Sequence, residues 1–100
     1  MTRARERYRR KIKLLDGSVV SAVIWELPEA TDERPHCYKY RLNYCTVNGV
    51  TLVRYDNERS KGDHKHLGDK QVPYTFQSIA QLLDDFWRDV DEILEQKQHE

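Results

Sequence analysis

The sequence predicts an α+β fold, in which an antiparallel sheet of four to five strands packs against one C-terminal amphipathic helix. Two pairs of strand-like segments surround turn signals, Asp16-Gly17-Ser18 and Asn48-Gly49. Between residues 79 and 94, apolar side chains recur at three- and four-residue steps, a spacing typical of a helix with one buried face. A chain of 100 residues can bury one thin core.

The first hairpin is predicted from segments at about 9–15 and 19–27, joined by a three-residue loop. In this register the facing pairs are Leu15 with Val19, Leu14 with Val20, and Ile12 with Ala22. Because strand side chains alternate between faces, the apolar residues share one face, and Arg9, Lys11 and Lys13 share the other.

The second hairpin is predicted from segments at about 36–46 and 50–58, around a two-residue Asn48-Gly49 turn. Asn-Gly is a strong hairpin signal because both residues tolerate positive φ. The facing pairs would be Tyr44 with Val53, Leu42 with Tyr55, Asn43 with Arg54, and Arg41 with Asp56. The first two pairs should face the core, and the other two, with Lys39, should form a polar side.

The rest of the chain predicts a short strand and the helix. His64 to Leu67 can form a fifth strand, and 72–76 is expected to be irregular. Ser78 is a good N-cap and Gln81 would complete a capping box, so the helix should begin at Ile79. The predicted organisation is one domain over 1–100, with a basic arm at 1–8, the sheet and its loops at 9–77, and the helix at 78–95.

The net charge of zero conceals a separation of charge along the chain. Residues 1–13 carry seven cations against Glu6 alone, and residues 78–95 carry six carboxylates against Arg88 alone. A basic segment can bind nucleic acid without sequence preference. The alternative is that the two charged segments simply neighbour each other in the fold.

The composition favours a cytoplasmic protein with no membrane partner. No stretch approaches the roughly 20 apolar residues that cross a bilayer, and the charged N-terminus is unlike a secretory signal. Cys37 and Cys45 lie too far apart in an extended strand to bond to each other, so both are predicted to be reduced thiols. No cofactor and no resident metal are expected.

The densest run of ionisable residues spans 55–66. His64 and His66 are two positions apart in a predicted strand, so both side chains point to one face. If that face also holds Arg41 and Asp56, the group suits metal-free RNA cleavage. One imidazole would take the proton of the ribose 2′-OH, and the other would protonate the leaving 5′-oxygen.

Neighbouring residues complete the predicted site. Lys61 and Arg41 would stabilise the charge that develops on the phosphate, and Asp56 or Asp63 would hold a histidine in one tautomer. The predicted catalytic residues are Arg41, Asp56, Lys61, His64 and His66. The predicted substrate-binding residues are Lys39, Arg54, Tyr55, Asn57, Arg59 and Asp63.

Each of these features has an alternative interpretation. The tyrosines at 38, 40 and 55 could stack on unpaired bases or belong to the core. Arg41 and Asp56 could form only a cross-strand ion pair. Asp63, His64 and His66 with Asp56 could instead bind a divalent cation. No CxxC or HExxH motif and no glycine-rich phosphate loop is present in the sequence.

Several runs of the sequence form a familiar pattern. They are Tyr38-Lys39-Tyr40-Arg41-Leu42, Tyr55-Asp56-Asn57-Glu58-Arg59, Lys61-Gly62-Asp63-His64-Lys65-His66, Pro73-Tyr74 with Phe76, Leu82-Leu83, and Asp85-Phe86. Through them the chain resembles the TumE family of toxins over about residues 9–93. That family more often has Gly at Ser60 and Arg at Lys65, and neither difference removes an acid, a base or a positive charge. The basic arm is expected to lie outside the pattern.

The resemblance implies a small cytoplasmic toxin of a type II toxin–antitoxin system. Such a toxin would inhibit growth by cleaving RNA and would be neutralised by a helix-turn-helix antitoxin. Together with the histidine pair, it favours a metal-independent endoribonuclease. The alternatives are a non-catalytic nucleic-acid- or protein-binding module, a metal-dependent nuclease, or a toxin that modifies a nucleotide or protein. The sequence is also compatible with a homodimer.

Overall fold

The computed structural model describes residues 3–32, 34–57 and 62–98. Its elements are β1 (Arg5–Lys13), β2 (Val19–Glu26), β3 (Tyr38–Cys45), β4 (Thr51–Asp56), β5 (His64–Leu67), β6 (Lys70–Pro73) and α1 (Ile79–Gln98). The six strands form one antiparallel sheet in chain order, with α1 packed on it. The predicted α+β class is confirmed. The sheet has one strand more than expected, because Lys70–Pro73 pairs with β5 instead of being irregular.

The second hairpin has the predicted pairs but a different turn. The four predicted pairs between β3 and β4 are all present. However, the N–H of Thr46 donates to the carbonyl of Val50 at 2.8 Å, so the loop has three residues and ends at Gly49, whose φ is 85°. Leu52 is then an extra residue in β4, and this bulge restores the predicted register beyond it.

The first hairpin has a three-residue loop, but the predicted pairs are wrong by two positions. Leu14 N–H donates to the Ser18 carbonyl at 2.8 Å, which places the loop at 15–17. Asp16 Oδ1 accepts the N–H of Ser18 at 2.9 Å and thereby closes the turn earlier than expected. Ile12 consequently faces Val20. A shift of two keeps every side chain on its predicted face, since the alternation has a period of two.

The core lies between one face of the sheet and α1. Its buried members are Val20, Ala22, Ile24, Tyr40, Leu42, Tyr44, Val53, Tyr55, Leu82, Phe86 and Val90. Tyr55 is fully buried near the middle, where its ring meets Phe86 and Tyr74 edge-on at 5.8 and 4.9 Å between centres. Its hydroxyl donates to Asp89 of the helix.

The acidic residues of α1 bind groups on the sheet side and on the helix itself. Asp89 lies 3.3 Å from Lys65 Nζ, and Asp85 accepts the hydroxyl of Tyr74 at 2.7 Å. Within the described ranges, no ion pair joins a carboxylate of α1 to a cation of β1. The alternative, in which the basic and acidic segments neighbour each other, therefore gains no support from an ion pair among the described residues.

The ends of the elements differ from their predicted bounds. The first strand begins at Arg5, inside the predicted arm, and the helix extends to Gln98. Ser78 caps α1, because its Oγ accepts the N–H of Gln81 at 3.0 Å, but the Gln81 side chain donates to Asp85 instead of completing a capping box. Both cysteines are free thiols. In the described part of the chain, no helix has the length and apolarity to span a membrane.

Three tyrosines under the helix have raised pKa values. For Tyr40, Tyr55 and Tyr74 the main cause is burial, followed by a hydrogen bond to a carboxylate, which disfavours the phenolate. The carboxylates are those of Asp63, Asp89 and Asp85. In the unfolded chain, tyrosine ionises near pH 10, at about its ordinary pKa. Above that pH the folded state holds protons that the unfolded state has lost.

We therefore predict that the free energy of unfolding is insensitive to these tyrosines below about pH 10 and falls as the pH rises further. Replacing Tyr40 with Phe removes one such proton and should reduce the alkaline slope by about 1.4 kcal/mol per pH unit. Denaturant unfolding at a series of alkaline pH values measures this slope. An unchanged slope in Tyr40→Phe would show that this phenol titrates alike in both states.

Candidate functional site

The predicted catalytic histidines lie on the face of the sheet opposite α1. β4 and β5 pair Asp56 with His64 and Arg54 with His66, while β3 and β4 pair Arg41 with Asp56. Residues that face each other in a ladder point to the same side, so these five side chains share one face. Along each strand these residues alternate with the positions that are buried under α1. We call the side of the sheet on which they lie the open face. The condition set by the sequence, that both histidines share a face with Arg41 and Asp56, is met.

His64 is held at both ring nitrogens. Its Nδ1 lies 3.0 Å from the carbonyl oxygen of Gly62, which can only accept, so Nδ1 carries a proton. Its Nε2 lies 3.0 Å from Asp56 Oδ1, and the His64 side chain is only 9% exposed. This contact is an ion pair when the ring also carries a proton on Nε2. A bound metal ion is the other species that could lie between the two.

The other members of the cluster surround Asp56. Arg54 Nε lies 2.8 Å from Asp56 Oδ2 as an ion pair, although its N–H is not aimed at that oxygen well enough for a hydrogen bond. The ring centres of His64 and His66 are 5.1 Å apart, with their planes at 80°. His66 is half-buried and so more exposed than His64. The open face thus holds two imidazoles, a carboxylate and two guanidinium groups together.

Three of these residues could also hold a metal ion. Asp56, His64 and His66 each offer a ligand atom, and these atoms lie within 4.8 Å of one another. Two imidazoles and one carboxylate form a common ligand set that leaves positions for water or substrate. The hydrogen bond from His64 Nδ1 to Gly62 is also the contact that metal-bound histidines usually make with their second nitrogen.

Asp63 does not join this cluster, contrary to its predicted role, because it points to the opposite face. Its Oδ1 accepts from the hydroxyl of Tyr40 at 2.7 Å, from Asn57 Nδ2 at 3.1 Å and from His36 Nε2 at 3.1 Å. The N–H of Tyr38 donates to His36 Nδ1 at 3.0 Å, so His36 carries its proton on Nε2. Both nitrogens of His36 are engaged in holding the chain together. No local pattern in the sequence indicates this second carboxylate–histidine pair.

Two predicted substrate-binding residues are buried. Tyr55 lies under α1 on the face away from His64, so it cannot stack on a base there. Asn57 is fully buried, and its amide accepts from the N–H of Tyr40 at 3.0 Å and donates to the carbonyl of Tyr38 at 2.8 Å. Asn57 therefore joins the end of β4 to β3, and its burial argues against contact with substrate.

The remaining predicted residues divide between the open face and the part of the chain that is not described. Lys39 faces Trp25 in the ladder and lies on the open face, half-buried. Lys61 and Arg59 lie outside the described residues, so their predicted contacts with the phosphate and the substrate stay predictions.

Comparison with known proteins gives one family. The family model described as Toxin TumE matches residues 2–94, a span that contains every residue of the open-face cluster. The match includes the basic N-terminal segment, so the expectation that this segment lies outside the family pattern is wrong. Neither a curated protein nor a solved structure matches the chain.

The hydrogen bonds predict that Nδ1 is protonated in one histidine and bare in another. His64 should carry a proton on Nδ1, where it donates to Gly62, and His36 should have a bare Nδ1, where it accepts from Tyr38. Long-range ¹⁵N–¹H NMR of the imidazole rings distinguishes the two nitrogens directly. A bare Nδ1 on His64 would contradict the geometry on which the site depends.

Proposed function

The chain belongs to the Toxin TumE family, and on this basis we propose that it is the toxin of a type II toxin–antitoxin system and inhibits growth by cleaving RNA without a metal ion. The observation that carries the proposal is the pair of imidazoles beside Asp56 on the open face, with Arg41 next to them in the ladder. Cleavage of RNA by its own 2′-OH needs one base, one acid and a cation near the phosphate, and these residue types supply all three.

The proposed reaction is an in-line displacement at phosphorus. The 2′-oxygen bonds to the adjacent phosphorus as His66, the more exposed imidazole, takes the 2′-OH proton. The bond from phosphorus to the 5′-oxygen breaks, and His64 gives that oxygen a proton. The products are a 2′,3′-cyclic phosphate and a free 5′-OH. Asp56 orients His64 through its contact with Nε2, while Arg41 stabilises the charge on the phosphate, with Lys61 as a further predicted cation.

A toxin of this class requires a partner that neutralises it. We propose a helix-turn-helix antitoxin for this role, as the sequence resemblance implies. A small helix-turn-helix reading frame beside the gene is the expected observation. A homodimer of the toxin is compatible with this arrangement and is not required by it.

Replacing either histidine with alanine should lower RNA cleavage by about 10²-fold or more, because general acid–base catalysis typically contributes this much. Purified wild-type protein in EDTA should cleave single-stranded RNA and leave 2′,3′-cyclic phosphate ends. His64→Ala and His66→Ala should lose this activity and relieve growth inhibition.

The matched control is His36→Asn, which alters a histidine on the opposite face. It should lower the melting temperature, since it disturbs the bonds to Asp63 and Tyr38, but leave kcat unchanged where the protein is folded. If both alanine variants keep full cleavage and toxicity, the proposed mechanism is wrong.

A metal-dependent nuclease is the second candidate, because Asp56, His64 and His66 already bring three ligand atoms together. A divalent ion there would lower the pKa of a bound water and generate a hydroxide nucleophile. The products would then be linear phosphates instead of cyclic ones.

This candidate predicts that wild-type protein binds Zn²⁺ or Mn²⁺ in isothermal titration calorimetry and that His66→Ala binds at least tenfold more weakly, since a ligand is lost. It also predicts that EDTA abolishes cleavage and that the ion restores it. Full activity in EDTA with cyclic phosphate products would exclude the metal as a participant in the reaction.

A further inference from the structure

We propose that a single RNA strand crosses the open face perpendicular to the β-strands, from the histidines on β5 to the cations of β1. This inference rests on the proposed function, because it assigns the path of that substrate. It gives Arg9 and Lys11, more than half the sheet away from the histidines, a role in holding phosphates. Neither was part of the site that the sequence predicted.

The strand pairing builds two continuous rows of side chains on the open face. One row runs Arg9, Val23, Arg41, Asp56, His64, and the next runs Lys11, Ser21, Asn43, Arg54, His66. Each step is one strand spacing, so four steps from β1 to β5 cover roughly 19 Å. The rows are two residues apart along the strands, or about 7 Å. This strip is long enough for a few nucleotides and narrow enough for a single backbone.

The β1 end of the strip is a basic groove. It has a volume of about 330 Å³, and Arg9, Arg10, Lys11 and Arg41 line it together with small residues of β2. Lys11 is exposed, and Arg9 is 61% exposed at its side chain. Of these cations, Arg9, Lys11 and Arg41 belong to the two rows on the open face, whereas Arg10 pairs with the core residue Ala22 and points to the other face. Three cations suit phosphate groups, and Arg41 makes the groove continuous with the site.

Arg9 is directed over the open face. Its guanidinium lies 5.9 Å from the ring centre of Trp25, a neighbour on the same face. Its Nε donates to Glu6, and the two terminal nitrogens of the guanidinium group can then donate to an anion. Midway along the strip, Asn43 Oδ1 is buried without a hydrogen-bond donor in the described structure. A ribose hydroxyl or a base amine of a bound strand would provide one.

The experiment uses a fluorescently labelled, single-stranded 2′-O-methyl RNA, which lacks the 2′-OH and so cannot undergo the proposed cleavage. Its Kd is measured by fluorescence anisotropy over a series of salt concentrations. The test variant is the double change Arg9→Gln and Lys11→Gln. The control is the double change Lys70→Gln and Arg88→Gln, which removes the same charge from exposed positions away from the open face. Circular dichroism and the melting temperature check that both variants fold.

If the RNA strand follows this path, the test variant should bind the labelled RNA several-fold more weakly than the control does. Its slope of log K against log salt should be shallower by about 0.7 for each lost phosphate contact, or about 1.4 for two. With cleavable RNA, the test variant should have a raised KM and an unchanged kcat, whereas His64→Ala lowers kcat.

The outcomes separate the path from the function. If the test variant matches the control in affinity and slope while wild-type protein still cleaves RNA, the path is wrong and the proposed function stands. If wild-type protein binds the oligonucleotide with this salt dependence and never cleaves RNA, the protein is a binding module and the nuclease proposal fails. If wild-type protein neither binds nor cleaves, both are overturned.

Discussion

The burial of Tyr55 against α1 fixes the direction in which β4 presents its side chains. The ring is enclosed by Phe86 and Tyr74, and the hydroxyl donates to Asp89, so this residue cannot exchange faces without exposing an aromatic ring and losing that hydrogen bond. Because successive strand residues alternate, Asp56 must then lie on the open face. Strand pairing extends this constraint to β3 and β5, so Arg41 and His64 lie beside Asp56 on the same face.

The two carboxylate–histidine pairs illustrate how the same residue types serve different purposes on the two faces. On the helix side, His36 has both nitrogens bonded to groups of the protein, and Asp63 binds Tyr40 and Asn57 as well. That pair joins the ends of several segments. On the open face, both ring nitrogens of His64 also contact protein groups, but the ring lies next to a second imidazole and a row of cations, and the proposed chemistry depends on these neighbours.

Much of this arrangement follows from local sequence signals. The alternation in 38–45 and 51–56 and the Asn-Gly turn predicted the correct pairs, although the loop is one residue longer and the bulge at Leu52 compensates for it. The register of the first hairpin was missed because Asp16 closes the turn through its side chain, a contact that residue type alone does not reveal. Asn57 and Asp63 were placed in the site because they are polar. Their burial depends on partners distant in sequence, His36 and Tyr40, which no local pattern indicates.

The central claim is that the open face, and not the face under α1, meets the substrate. NMR of the imidazole rings during titration with a non-cleavable single-stranded RNA tests it most directly. The account predicts that the ring signals of His64 and His66 shift as RNA is added, while those of His36, bonded to Asp63 on the other face, do not. Shifts at His36 with His64 and His66 unchanged would contradict it.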